Sequence, residues 1–141
     1  MADAIAPKAE KFLPRTAACL PEIFDFMDRF FARAGVGDEH RMPMQFAVEE
    51  LFTNLVKYSR GGSREILLEL KREGGRLVVS LTDFDVEPFD IRTVPDVNVN
   101  LKLGERRPGG LGIHLLKRMV DDVGYEYVDR RSTTTFIKEL G

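Results

Sequence analysis

Two polar side chains stand one helical turn apart in an apolar stretch of the sequence, residues 46–58, and could act on one substrate. Glu50 and Asn54 are four residues apart, so their side chains share one face of a predicted helix. An amide oxygen is a ligand that Mg²⁺ accepts beside water and phosphate oxygens, and a carboxylate can take a proton from an attacking hydroxyl. Taken alone, the pair is equally typical of the solvated face of an amphipathic helix.

A third carboxylate, Asp83, follows the apolar run of residues 77–81. At the end of a strand it could accept a hydrogen bond from an exocyclic amine such as that of adenine. The acidic segment that begins at Asp83 is not an EF-hand calcium-binding loop. Such a loop has glycine at its sixth position and an acidic residue at its twelfth, where this sequence has Pro88 and Val94. The Asp-x-Asp-x-Val pattern also resembles the haloacid-dehalogenase phosphatases, in which Asp83 would be a phosphate-accepting nucleophile on a larger parallel sheet.

A glycine-rich segment precedes the last predicted helix. Gly109, Gly110 and Gly112 allow close approach of the backbone to a ligand, and the first amides of a helix attract anions. Arg106 and Arg107 lie just before them and could meet phosphate oxygens. Neither the P-loop nor the dinucleotide fingerprint is present in the sequence. A flexible turn would also explain the glycines.

The hydrophobic periodicity predicts the elements that position these residues. It predicts a strand near residues 11–15, a helix from Pro21 to Gly35, a helix from Pro43 to Gly61, a hairpin around Gly74 and Gly75, a long loop at residues 83–110, a third helix, and strands near residues 125–130 and 133–140. Thr133 and Thr135 share one face of the last strand. The predicted fold class is an α+β two-layer sandwich, with a mixed, mostly antiparallel sheet and about three helices on one face.

Composition narrows the class of protein. The chain has 141 residues, 21 Lys and Arg against 23 Asp and Glu, and a formal charge of −2, so it has no general attraction for nucleic acid or an anionic membrane. The single Cys19 excludes a disulfide framework and a multi-cysteine zinc site. We expect a loose N-terminus over residues 1–10, then a single cytoplasmic domain over residues 11–141, without membrane or nucleic-acid contacts.

In this order and spacing, the three groups of residues resemble the nucleotide-binding set of the histidine-kinase-type ATPase superfamily, which has the Bergerat (GHKL) fold. Within it, the chain resembles the anti-sigma-factor serine/threonine kinases of bacterial partner switching. The segments that carry the resemblance are residues 46–58, 88–90, 105–116 and 119–123, and it extends from about Phe12 to Leu140. The histidine-bearing dimerisation helix of a sensor kinase is missing from the sequence, so autophosphorylation on histidine is not expected.

The resemblance implies a role for each candidate residue. Asn54 would hold Mg²⁺ against the ATP phosphates, Glu50 would be the general base, and Asp83 would bind the adenine amine. The other nucleotide-binding positions would be Lys57, Arg107, Gly109, Gly110, Gly112 and Thr133, with residues 94–108 as a lid.

The resemblance also implies partners. The substrate would be a serine or threonine of a STAS-domain anti-anti-sigma protein, and the same domain would bind a sigma factor or similar regulator and could form a homodimer. Asp85 stands where the family's Asp-x-Gly pattern has glycine. The alternative is therefore a non-catalytic module of the same fold, with lost or weakened ATP binding, that holds a regulator through its apolar first helix.

Overall fold

Alternating apolar and polar residues give the strands one buried face, which three helices cover in the part of the chain that the structure describes. The structure is a computed structural model, and it describes residues 7–59, 61–62, 64–94 and 110–141. The elements are β1 (Lys8–Leu13), α1 (Leu20–Ala34), α2 (Asp38–Tyr58), β2 (Ile66–Glu73), β3 (Arg76–Phe84), α3 (Gly110–Met119), β4 (Asp122–Val128) and β5 (Arg131–Glu139), with short 3₁₀ turns at Ala17–Cys19 and Ile91–Thr93.

The described strands form one sheet in the order β1-β2-β3-β5-β4, and each neighbouring pair is antiparallel. The register between β3 and β5 pairs Leu81 with Thr134 and Asp83 with Ser132. All four side chains are buried. Leu81 belongs to the core under the helices, and the other three share its face because they are two residues away along a strand or directly opposite in the register. The predicted α+β two-layer architecture is confirmed. The antiparallel sheet also contradicts the phosphatase alternative, which needs a parallel one.

The helices bury their apolar stripes in a single core against the sheet. In α1, Ile23, Met27, Phe30 and Phe31 are at most 1% exposed, which makes them core residues. These four side chains are not available to a regulator. Docking through α1 stays a prediction, which would involve the partly buried Phe24 and Phe26 instead. Among the described residues, the helices include none that is long and apolar enough to cross a membrane.

The helix ends follow local chemistry. Gly35 ends α1 in the left-handed conformation, with φ of 70°, as the glycine signal predicts. The second helix begins at Asp38 rather than near Pro43. Its first turn carries Asp38 and Glu39, whose charges suit a helix N-terminus, and Pro43 lies inside the helix.

The outer strands start earlier than predicted. β1 begins at Lys8 and β4 at Asp122. The turn between β4 and β5 lies at Asp129 and Arg130, which both have positive φ values of 53° and 61°. This is the conformation of a tight hairpin turn. Aspartate tolerates this conformation, and the Arg130 carbonyl accepts from the amide of Val86 at 3.1 Å.

Candidate functional site

Asn54 has the features of a metal-ligating amide. It lies on α2 and is 3% exposed. Its Nδ2 donates to the backbone carbonyl of Glu50 at 2.7 Å, which fixes the orientation of the amide. Its Oδ1 is buried and has no hydrogen-bond partner in the structure. A buried acceptor left unsatisfied costs about 1–3 kcal/mol, so this oxygen is suited to an incoming ligand.

Mg²⁺ fits this oxygen. It prefers oxygen ligands and usually keeps few protein ligands beside water and phosphate oxygens. Among the described residues, there is no group of three or more His, Cys, Asp or Glu side chains that could hold a metal ion. A cation at Asn54 would therefore depend on the phosphates of a nucleotide for its remaining ligands.

Glu50 lies one turn before Asn54 and is half-buried. Burial raises the pKa of its carboxyl group above the ordinary value. The negative charge of Glu49 raises the pKa further, and the positive charge of Lys57 lowers it. A carboxylate with a raised pKa is a better proton acceptor near neutral pH than an ordinary surface glutamate.

The start of α3 lies directly against Glu50. A Cβ atom built on Gly112 would collide with Glu50 Oε2 and would lie 2.7 Å from its Cδ. The absence of a side chain at Gly112 is therefore what allows the Glu50 carboxylate to lie there. The contact brings α2 and the N-terminus of α3 together, with the carboxylate between them.

Asp83 forms the other end of the site and is fully buried. Arg15 donates to both of its oxygens, from Nη1 to Oδ1 at 2.5 Å and from Nη2 to Oδ2 at 3.2 Å. Ser59 Oγ donates to Oδ2 at 2.8 Å. Arg15 Nη2 also donates to the carbonyl of Leu55, so the arginine joins the end of α2 to the end of β3. Both oxygens of the predicted adenine acceptor are thus bonded to the protein itself.

Asp85 adopts the backbone conformation for which a glycine would be suited. Its φ is 57°. Its side chain is 57% exposed and lies 3.4 Å from Arg64 Nη1. Its carbonyl accepts from Arg130 Nη2 at 3.2 Å, and the next amide, of Val86, donates to the carbonyl of Arg130. The Asp85 carboxylate therefore stands in solvent, outside the buried surroundings of Asp83.

A sequence profile of the histidine kinase-like ATPase domain matches residues 13–138 of the chain. The chain belongs to this family. The match spans the described site residues from Arg15 to Gly112. It includes β2, β3 and β4 completely, β5 except its last residue, and only Leu13 of β1.

A curated relative of this ATPase domain is the sensor histidine kinase YxdK of Bacillus subtilis (strain 168). The two are 29% identical over 106 residues, which cover 69% of this chain and 33% of the kinase. The chain thus spans about a third of the length of this relative.

Three solved structures share the fold. The RsbU and RsbW domains of Rv1364c from Mycobacterium tuberculosis match with a TM-score of 0.65 and 15% identity, over 94% of this chain and 32% of the other. The SiaB–SiaC complex from Pseudomonas aeruginosa matches with a TM-score of 0.59 and 14% identity, over 92% and 88%. The histidine kinase AdeS of Acinetobacter baumannii has a TM-score of 0.50 and 11% identity, over 94% and 68%.

The structure does not bring Thr133 to the site. Thr133 is paired with Thr82 in the sheet, and their hydroxyl oxygens are 3.1 Å apart. Both lie on the face of the sheet opposite to Asp83, because neighbouring residues of a strand point to opposite faces. Thr134, 2% exposed, lies on the helix-covered face instead. The prediction that Thr133 lies at the nucleotide site is therefore wrong, because its side chain points to the other face of the sheet and that of the next residue, Thr134, points to the helices.

The other predicted residues divide into three groups. Lys57 is exposed near the end of α2, and its charge acts on Glu50. Gly110 is the first residue of α3. Arg107, Gly109 and almost all of the predicted lid, from residue 95 onward, lie outside the described residues.

Sequence reasoning missed Arg15 and Ser59. Arg15 follows β1 and is 68 residues from Asp83 in the chain, so only the sheet topology brings the two together. Ser59 ends α2 as its C-terminal cap. An arginine beside a proline in a loop carries no sequence signal that distinguishes it from a surface residue.

Proposed function

We propose that this domain binds MgATP between α2 and α3 and transfers the γ-phosphoryl group to a serine or threonine hydroxyl of a protein partner. The observation that carries the proposal is the pair on one face of α2. It combines a half-buried carboxylate with a raised pKa, Glu50, and a buried amide oxygen without a partner, Asn54 Oδ1. The family supports the nucleotide, since it is described as a histidine kinase-like ATPase domain.

The roles follow from the two side chains. Asn54 Oδ1 would be the protein ligand of Mg²⁺, which when bound would neutralise charge on the phosphates. Glu50 would accept the hydroxyl proton as the oxygen bonds to the γ-phosphorus and the bond to the β-bridging oxygen breaks. ADP leaves with that oxygen, and the proton on Glu50 passes to water. Phosphoryl transfer needs mainly positioning and charge stabilisation, so few protein groups suffice.

The partner that we propose is a STAS-domain anti-anti-sigma protein, with a sigma factor or similar regulator as a second ligand. Both come from the resemblance to the anti-sigma kinases. A structural neighbour determined as a SiaB–SiaC complex supports a protein ligand for this fold. The domain would then act as an anti-sigma regulator of transcription in the cytoplasm, as a monomer or a homodimer.

A second candidate function is a partner-binding module of the same fold with weak or no ATP binding. The Arg15–Asp83 pair favours it, because the buried acceptor for adenine already has protein donors on both oxygens. Calorimetric titration with ATP and Mg²⁺ separates the two candidates. Heat of binding supports the kinase, and its complete absence supports the module.

Phosphoryl transfer is tested by incubating the protein with Mg²⁺, γ-labelled ATP and its cognate STAS protein. We expect label on the partner, and Glu50→Gln should lower the rate by about 10²–10⁴-fold while ATP binding is retained. Glu49→Gln is the matched control, because it makes the same change one residue away. The rates are compared at a pH at which Glu50 is fully ionised, since Glu49 raises the pKa of Glu50. Equal rates for Glu50→Gln and the unmodified protein would remove Glu50 as the base.

A further inference from the structure

The side chain of Arg15 is held at the site by contacts from several elements. Besides Asp83, it donates to the carbonyl of Leu55 at 3.1 Å and to that of Arg64 at 3.4 Å. Its side chain is only 15% exposed. It lies so close to Gly62 that a Cβ atom there would be 2.5 Å from the guanidinium carbon. The guanidinium thus fills a closely fitted space between α2, the end of β3 and the segment that follows α2.

The guanidinium of Arg15 donates to Asp83 as the exocyclic amine of a bound adenine would. A guanidinium is planar and presents N–H donors in a fixed fork to a carboxylate. The exocyclic amine of adenine is likewise a planar N–H donor. Arg15 and Ser59 together use both oxygens of Asp83, which is fully buried. A nucleotide cannot reach this carboxylate while the guanidinium is in place.

Given the proposed nucleotide-binding function, we propose that Arg15 is an intramolecular competitor for the adenine end of the site. It bonds Asp83 in the nucleotide-free protein and has to leave before an adenine base can do so. Arg15 therefore sets the apparent affinity for ATP, because only the fraction of molecules with the guanidinium withdrawn is competent to bind. It also keeps Asp83 paired when no nucleotide is bound, since a buried carboxylate without a partner is strongly destabilising.

The test compares Arg15→Met with the unmodified protein in ATP titrations followed by calorimetry. We expect at least a tenfold gain in ATP affinity, because the competing donor is gone. GTP should show no such gain, because guanine presents a carbonyl where adenine has its amine. Arg64→Met is the matched control, because this nearby arginine contacts Phe84 and Asp85 through an exposed side chain.

The melting temperature gives a second, independent measurement. Arg15→Met should melt on the order of 10 °C lower without nucleotide, since it leaves Asp83 buried and unpaired. ATP should raise its melting temperature more than that of the unmodified protein. Should this variant fail to fold, Arg15→Lys keeps a positive charge but not the paired donors, and a smaller, still adenine-selective gain is expected.

The outcomes distinguish this inference from the proposed function. If the unmodified protein binds ATP and neither Arg15 variant binds it more tightly, the competition is disproved and nucleotide binding stands. If the gain appears equally with GTP, Arg15 does not occupy the position of the adenine amine. If neither the unmodified protein nor the variants bind ATP, both the inference and the proposed kinase activity fail.

Discussion

The carboxylate of Glu50 occupies the space in front of Gly112 that any side chain at that position would need. Gly112→Ala should therefore displace the carboxylate and lower phosphoryl transfer by about 10²-fold, the size of effect that a displacement of about 1 Å produces. Stability should change little. Alanine is the better helix residue by about 1 kcal/mol, which offsets the cost of moving a flexible side chain.

The control for this change is Gly75→Ala. A Cβ atom on Gly75 would meet nothing within 4 Å, so the transfer rate should stay that of the unmodified protein. Rates and melting temperatures are measured on both variants. A fully active Gly112→Ala protein would show that the position of Glu50 against α3 has no part in the reaction.

The raised pKa of Glu50 predicts how the rate depends on pH. A general base must be ionised, so kcat should fall with decreasing pH as the carboxyl group takes up its proton. Glu49→Gln removes a charge that raises this pKa, so the fall of kcat on the acidic side of the pH profile, the acidic limb, should move to lower pH. Lys57→Met removes a charge that lowers it and should move the limb to higher pH. Shifts of both variants in the same direction would contradict the assignment.

The same pKa has a consequence for stability. A carboxyl group whose pKa is raised by folding binds its proton more tightly in the folded state. Its contribution to the free energy of unfolding is therefore stabilising in acid, and it is lost as the pH rises through the pKa of the folded state. Glu50→Gln should therefore raise the free energy of unfolding at neutral pH. The difference should disappear below the ordinary pKa of a glutamate. Urea unfolding at a series of pH values measures it, and a gain that is equal at every pH would show that ionisation is not its cause.

The fold could be predicted because each element carries its own local signal. Gly35 at the end of α1 and the turn of Gly74 between β2 and β3 have positive φ values, which is the conformation that glycine favours. The start of α2 was less predictable. Pro43 is typical of a first helical turn, but Asp38 and Glu39 extend the helix by more than a turn ahead of it.

The site could be predicted only where its residues are neighbours in the sequence. Glu50 and Asn54 lie on one helix, so their spacing alone places them together. The placement of Thr133 depended on the register of β5, in which an error of one residue moves a side chain to the other face. Arg15 meets Asp83 across 68 residues, and only the assembled sheet shows that contact.

The left-handed conformation of Asp85 predicts a gain of stability on substitution by glycine. Its φ of 57° costs a residue with a side chain about 1 kcal/mol, and the ion pair with Arg64 is exposed. Asp85→Gly should therefore be more stable by about 0.5–1 kcal/mol. Asp85→Ala should be less stable than the unmodified protein, because alanine accepts this conformation less readily than aspartate does. Thermal unfolding measures both, and equal melting temperatures for the two variants would contradict the assignment of strain to this residue.

Because Asn54 Oδ1 has no hydrogen-bond partner, we predict that Asn54→Leu abolishes the Mg²⁺ dependence of ATP affinity without lowering the stability of the protein. Leucine removes a buried acceptor that has no partner together with one hydrogen bond to Glu50, so stability should be unchanged or higher by up to about 1 kcal/mol. ATP affinity, measured with Mg²⁺ and again with a chelator, should depend on the metal in the unmodified protein and not in the variant.

Gln45→Leu is the matched control, because its amide is on the same helix but bonds Asp28 at an exposed position. It should keep the full dependence of ATP affinity on Mg²⁺. Asn54 Oδ1 is the buried side-chain oxygen without a partner among the described residues of α2, whereas the Gln45 amide donates to Asp28. Persistence of the metal effect in Asn54→Leu would place the cation elsewhere and would separate Asn54 from the chemistry of Glu50.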